Sequence, residues 1–169
     1  MREFIDEMRR RGRVVDIERP VRTDMEAAKM AAGTDKVLFF HDIGGARAVM
    51  NVTADREAIA VALGMDEREI VQKLSLATFE GNVVTKGPLK MKKPDLGRLP
   101  VLKHFPKDAG KYITSGIVFS RYGGVENASI HRMLVLDDRR VAARLVEGRH
   151  THVMLQSALE KGEKLPVAV

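Results

Sequence analysis

The segment Gly124–Leu136 gathers the residue types most able to do chemistry in this chain. Side chains alternate along a strand. Ile130, Arg132, Leu134 and Leu136 therefore fall on one face, and Asn127, Ser129 and His131 on the other. Arg132 shares its face with branched aliphatics, and a buried guanidinium needs an anionic partner, because leaving it unpaired costs about 3–5 kcal/mol. That partner is either an Asp or Glu of the same domain or a ligand held bidentately: a phosphate, a carboxylate substrate or a flavin edge. Asn127 sits where a turn becomes a strand. It serves either turn chemistry or, through its amide oxygen, a hard cation such as Mg²⁺ or Mn²⁺ that phosphate oxygens share.

A second group lies on the neighbouring strand and beyond it. Arg144 precedes Glu147-Gly148-Arg149-His150-Thr151-His152. Gly148 permits a tight bend with close backbone approach to a ligand. Arg149 and His150 then enter a helix whose first amides form a natural anion site. His150 and His152 diverge at i,i+2 on a helix, so a two-His zinc site is disfavoured. His41 and His104 stand isolated. Ser115, Ser120, Ser129 and Ser157 lack a G-x-S-x-G setting. No phosphate-binding G-x-x-x-x-G-K-[ST] loop occurs, and the Gly44-Gly45 pair carries no dinucleotide fingerprint.

Composition narrows the classes further. The absence of cysteine excludes disulfides, thiolate metal sites and Cys nucleophiles, and a reducing, cytoplasmic setting is the simplest home. No apolar run approaches the ~20 residues that cross a bilayer, and the N-terminus has no apolar core of a signal peptide. A net charge of +6 favours anionic partners. Aromatic residues make up only 5%, with no Trp and two Tyr, so stacking platforms for single-stranded nucleic acid are scarce. The basic residues are spread out apart from runs at Arg9–Arg13 and Lys86–Lys93, and the second run reads as a solvated linker before it reads as a binding patch.

The elements that must position these residues fall into two groups. Arg2–Arg11 places Phe4, Ile5 and Met8 at helical spacing, with Gly12 as the stop. Val14–Ile17 is a strand. Thr23 and Glu26 form a capping-box pattern opening a helix to about Ala32. Val37–Phe40 and Ala46–Val52 are strands joined at Gly44-Gly45. Asp55 caps a helix to Leu63. Asp66 and Glu69 open another, whose Ile70, Val71, Leu74 and Ala77 share one face. This alternation is an α/β layout. Lys86–Pro94 is a basic, proline-punctuated connection. Strands then dominate: Ile117–Ser120, Ala128–Leu136 and Val141–Val146, the last two joined by the polar turn Asp137–Arg140. A helix His150–Leu159 and a strand beginning at Leu165 complete the chain. The fold class expected is α+β, with residues 1–98 as an N-terminal α/β domain plus basic linker and 99–169 as a strand-rich domain.

These stretches resemble UbiD-type carboxy-lyases. Leu99–Val118 is similar to the family's pre-barrel segment, and Asn127–Met133 with Gly148-Arg149-His150 to its cofactor-binding core. Phe4–Arg19 is similar to the family's opening, and Gly162–Val169 to the stretch just after its core. The resemblance implies a small α/β domain followed by the first part of an FMN-binding split β-barrel. It also implies reversible, non-oxidative decarboxylation of unsaturated or aromatic acids with prenylated FMN, Mn²⁺ or Mg²⁺, and K⁺ as a further ion. Residue by residue, Asn127 binds the divalent metal and His150 is a second ligand. Ile130, His131 and Arg132 line the flavin, with Arg132 near the reacting carboxylate. Arg144, Leu145 and Val146 contact the cofactor from the adjacent strand, and Arg149 and His150 meet its phosphate end.

The wording Ala128–Arg132 and Glu147–Thr151 is most similar to the archaeal branch that decarboxylates trans-anhydromevalonate 5-phosphate. A generic aryl or prenyl-acid decarboxylase is the alternative within the family. The resemblance further implies a flavin prenyltransferase as cofactor supplier. It places a metal-binding Glu and the proton-donating acids downstream of Val169. The apolar ending at Val169 thus leads to the expectation of a truncated, split or proteolysed form that is inactive alone and binds prenylated FMN weakly or not at all, with a companion C-terminal chain. The rival readings are a non-catalytic binding or subunit module, a generic FMN-binding domain with redox activity, and a nucleic-acid-binding domain.

Overall fold

A computed structural model describes residues 1–78 and 95–169. By contacts the chain forms two compact units, Met1–Pro94 and Asp95–Val169. The basic connection at 86–94 lies outside the described residues.

In the first unit, α1 (Arg2–Arg10) precedes β1 (Val14–Ile17), α2 (Glu26–Ala32), β2 (Val37–Ile43), β3 (Ala46–Met50), α3 (Arg56–Leu63) and α4 (Ile70–Ser75). β1 runs parallel to β2, and β2 runs antiparallel to β3, in the order β1-β2-β3. Gly44 and Gly45 both take positive φ, 61° and 85°, which is what a two-residue hairpin turn of matching twist requires. The core gathers Met8, Val37 and Ala58, ringed by Phe4, Val14, Val49, Val52 and Val61. Phe40 and Ile43 are fully buried. Asp55 caps α3 by accepting the Ala58 amide at 2.7 Å. Asp66 and Glu69 make a reciprocal capping box ahead of α4.

Three expectations change here. The Thr23–Glu26 capping box does not form. α2 is capped at Met25 without a side-chain bond, and Glu26 instead accepts from the Arg22 amide and from the Arg19 and Arg22 guanidinium groups. Charge-assisted bonds to Arg outcompete a cap to neutral backbone. On α4 only Ile70 is buried, while Val71 and Leu74 are exposed. His41 is not isolated: its Nε2 lies 3.0 Å from Asp16 and 3.3 Å from Glu18.

The second unit carries β4 (Tyr112–Ile113), β5 (Ile117–Tyr122), β6 (Val125–Ile130), β7 (Met133–Val135), β8 (Val141–Ala143), α5 (His150–Glu160) and β9 (Val167–Ala168). They make two three-stranded sheets, β4-β7-β8 and β6-β5-β9. The chain leaves one sheet and enters the other at His131-Arg132, so the single strand expected over Ala128–Leu136 is two. Strands that switch sheets make corners in this way. The Asp137–Arg140 turn joins β7 and β8 as an antiparallel pair. β8 stops at Ala143, short of the expected Val146.

Candidate functional site

α5 lies against β5 and β6. Its Thr151, Met154 and Ala158, at helical spacing, form the covered stripe. Asn127 and Ser129 project from β6 on the half-buried side, and Ala128 and Ile130 on the exposed side. His131 continues the inward side at 9% exposure, and Thr151 is 4% exposed. These side chains meet in one polar cluster. The Asn127 Nδ2 donates to Ser129 Oγ at 3.2 Å and to Thr151 Oγ1 at 3.0 Å. Ser129 Oγ lies 2.8 Å from His131 Nε2 and 3.1 Å from Thr151 Oγ1. His131 Nε2 lies 3.2 Å from Thr151 Oγ1, and its Nδ1 lies 3.2 Å from the Arg144 carbonyl. Buried polar atoms cost free energy unless bonded, and here each side-chain polar atom finds a partner except Asn127 Oδ1. Below the cluster Ser120 Oγ contacts Met154 Sδ at 3.4 Å.

Arg132 is placed differently from expectation. The alternation holds, but the face with Ile130 and Arg132 is the open one: the Arg132 side chain is 54% exposed. It is not a buried guanidinium among aliphatics. Its Nη2 donates to Asp108 Oδ1 at 2.7 Å, and its guanidinium carbon stands 4.0 Å above the Tyr112 ring. Ion pair and cation–π contact together hold one edge of the group. The Asp108 side chain is 10% exposed and also accepts the His104 and Phe105 amides. Burial alone raises its carboxyl. The Phe105 amide, the Arg132 guanidinium and the His104 amide outweigh that and hold it below the ordinary carboxylate value. No sequence pattern singles out Asp108 or Tyr112. Asp108 is 24 residues from Arg132, and only its place before Gly110 hints at a loop-ordering carboxylate.

The α5 N-terminus presents a different chemistry. Arg149 is its N-cap residue and makes no side-chain cap, and no acidic residue stands in the first turn. Gly148 has φ 76° and donates its amide to His152 Nδ1 at 3.3 Å, so His152 is turned back onto the bend. His150 is exposed and adjoins Thr151, the residue that ties α5 to Asn127. Among the described residues Arg144 and Arg149 have no carboxylate at ion-pair distance. Arg144 enters the cluster through its backbone alone: its amide donates to the Arg132 carbonyl at 3.1 Å and its carbonyl meets His131. Leu145 is half-buried and Val146 exposed.

The donor set fits a divalent cation at Asn127. Both amide hydrogens point into the cluster, and Oδ1 accepts no hydrogen bond among the described residues, which suits a hard metal. A phosphate fits the uncapped α5 amides beside Arg149. An open groove beside Asn127, bounded by Phe119, Ala128, Val167 and Ala168, offers apolar surface for a flat ring. The sequence reading missed another cluster, Asp16, Glu18 and His41, whose ligating atoms lie within 4.8 Å of one another in the first unit. The sequence signal was a carboxylate pair at i,i+2, one on a strand and one just past its end, with a His on the next strand.

Residues 5–78 match the 3-octaprenyl-4-hydroxybenzoate carboxy-lyase N-terminal domain, and residues 79–169 match that carboxy-lyase's Rift-related domain. An anhydromevalonate phosphate decarboxylase of Methanosarcina mazei is 41% identical over 173 aligned positions, across 99% of this chain and 41% of that protein. Among solved structures, the UbiD-class enzyme HmfF from Pelotomaculum thermopropionicum in complex with FMN superposes with a TM-score of 0.85 at 26% identity, over 98% of this chain and 41% of that one. An evolved dimeric form of the same enzyme in complex with prFMN gives 0.80 at 25% identity, over 98% and 42%. The chain therefore spans about two-fifths of the length of these relatives. Two adjoining domain matches run from residue 5 to residue 169, and the fold is shared with HmfF: this chain belongs to the UbiD family.

Proposed function

We propose that the protein carrying this chain is a non-oxidative decarboxylase of an α,β-unsaturated acid, with anhydromevalonate phosphate as substrate and prenylated FMN as cofactor. The name of the Methanosarcina relative supports the substrate, and the prFMN complex of the HmfF form supports the cofactor. The observation that carries the reading is the uncapped start of α5, flanked by Arg149 and tied through Thr151 to an Asn127 whose carbonyl oxygen is left open. Prenylated FMN, when bound, supplies an electron sink for the carbon that loses CO₂.

This chain's residues do the holding. Asn127, with His150 as a second ligand, would hold Mn²⁺ or Mg²⁺, which would supply positive charge for the cofactor phosphate, and K⁺ would be a further ion. Arg149 and the first α5 amides bind the phosphate itself. Ile130, Arg144, Leu145 and Val146 line the flavin, and His131 supports that wall from inside. Arg132, steadied by Asp108 on one edge, turns its free edge to the substrate carboxylate and orients it for loss of CO₂. Among the described residues no helix is long and apolar enough to cross a membrane. A cytoplasmic setting, a flavin prenyltransferase as supplier and a companion polypeptide carrying the proton donor belong to the same reading.

Titrating the chain with FMN and with prenylated FMN in the presence of Mn²⁺, followed by flavin fluorescence, tests it. Saturable binding is expected with the companion polypeptide present, weakened about tenfold or more by Asn127→Ala and by Arg149→Ala, since each removes a bond to a charged group. Weak flavin binding or none is expected of this chain alone, so the titration is read with the companion present, and no flavin binding there overturns the reading. In a decarboxylation assay with the companion present, Arg132→Lys is expected to lose CO₂ release from anhydromevalonate phosphate, because Lys cannot reproduce the bidentate fork.

A further inference from the structure

We propose that Ser129, His131 and Thr151 are positioning residues that fix the Asn127 side-chain amide with its carbonyl oxygen turned out of the cluster, toward a divalent cation. The proposal rests on the reading of Asn127 as a cation ligand.

One atom of the cluster has no freedom of role. The Arg144 carbonyl is an acceptor only, so the His131 nitrogen facing it, Nδ1, carries the hydrogen. In the neutral ring Nε2 is then a lone pair buried among hydroxyls, and it accepts. Ser129 Oγ at 2.8 Å and Thr151 Oγ1 at 3.2 Å are the available donors. With one hydroxyl donating to Nε2, the 3.1 Å contact between the two oxygens is a hydrogen bond only if the other hydroxyl donates across it. With that bond made, both hydroxyl protons are committed, and each oxygen still has a lone pair facing Asn127.

Only the amide nitrogen can answer two acceptors. In that orientation Nδ2 donates to both Ser129 and Thr151. Turned the other way, Asn127 could accept only by drawing the second hydroxyl proton away from the Ser129–Thr151 contact, which leaves oxygen facing oxygen at 3.1 Å and at one of the two amide contacts. Polar groups left without a partner in a buried setting are costly. The Arg144 carbonyl therefore sets the His131 tautomer, the tautomer sets the hydroxyl directions, and the hydroxyls set which end of Asn127 faces outward. Thr151 ties this order to the start of α5, the same place where phosphate is proposed to bind. None of the three positioning side chains needs to touch the ion.

The test pairs Mn²⁺ affinity, read by electron paramagnetic resonance, with the ¹⁵N-edited side-chain amide signals of Asn127, on the full chain without flavin. In the unmodified chain both Asn127 amide protons are expected to exchange slowly. Thr151→Val removes the hydroxyl at near-constant shape. It is expected to speed that exchange and weaken Mn²⁺ binding by about 10–100-fold, the usual cost of losing an orienting partner behind a metal ligand. Thr151→Ser keeps the hydroxyl and is expected to restore both readouts, which separates positioning from packing. Ser129→Ala, on the strand, repeats the loss without touching the helix.

Unchanged Mn²⁺ affinity in Thr151→Val and Ser129→Ala overturns the proposal. So do rapidly exchanging Asn127 amide protons in the unmodified chain. A chain that binds no Mn²⁺ yet shows protected protons, lost in Thr151→Val, sinks the cation reading of Asn127 while upholding the orientation.

Discussion

The two units use their polar groups in opposite ways. In the first, charge is paired mostly at the surface, as in Arg9 with Asp16 at 2.7 Å, Arg11 with Glu7 at 2.7 Å and Arg19 with Glu26 at 2.7 Å, while Arg13 with Asp55 is half-buried. Its buried side chains are apolar. In the second, Ser120, His131 and Thr151 are buried, and they are the buried polar residues among those described. Arg144 and Arg149 meanwhile stand without carboxylate partners there. A dry core gives stability with little chemistry. A bonded polar cluster under a helix gives direction to particular atoms, and its energetics are unforgiving because a half-satisfied network is worse than none. The proposed site draws on the second unit's polar cluster.

The largest effect expected tests the dry side of that contrast. Phe40→Ala should cost the first unit about 3–5 kcal/mol, since Phe40 is fully buried and its removal leaves a cavity. Hydrogen exchange read residue by residue should show the loss in β1–β3. If Phe40→Ala leaves β1–β3 exchange unchanged, the core assignment fails. Next in size is Gly116→Ala in the second unit. A methyl there would meet Met133 Cε at 2.9 Å, Ile113 Cγ2 at 3.0 Å and Val169 Cγ1 at 3.1 Å. Overpacking of this kind costs about 1–3 kcal/mol, visible as a lower urea midpoint.

The smallest effect is an acid one. The Arg19 and Arg22 guanidinium groups, with the Arg22 amide, lower the Glu26 carboxyl from 4.5 to about 2. A depressed carboxylate contributes stability above its unfolded value and loses it as pH falls through its folded value. Wild type and Glu26→Gln should therefore differ in melting temperature above pH 4.5 and converge as the pH approaches 2. Because these pairs are exposed, the difference should be small and shrink with salt. A gap that widens in acid would reverse the assignment.

Much of the first unit was legible because its signals are local. Val14–Ile17 coincides with β1, the Gly44-Gly45 turn and the Asp55 cap stand where the pattern put them, and Asp66 with Glu69 forms its box. The Thr23–Glu26 box failed because Arg19 and Arg22 compete for the same carboxylate, a contest no four-residue pattern contains. In the second unit the alternation over Asn127–Arg132 was readable, but alternation cannot say which face is covered. That was decided by α5, which sits over Asn127, Ser129 and His131 and leaves Arg132 outside. The end of β6 was hidden because residues on both sides of His131-Arg132 favour strands. The Asp108 partner of Arg132 and the Thr151 partner of Asn127 come from distant segments, so only the folded chain brings them together.

The pairing of β9 with β5 has a consequence for how the second unit comes into being. Val167 and Ala168 close onto Ser120 and Phe119, with two further strands of the other sheet and a whole helix lying between them in sequence. Loop closure must precede any gain from that contact. The three-stranded sheet therefore cannot be completed from neighbours, as the β2–β3 hairpin can, and β9 leaves the ribosome after everything it encloses. Non-local pairing of this sort slows folding. The second unit should thus order late, its polar cluster among the last contacts to lock, while the first unit stands already built.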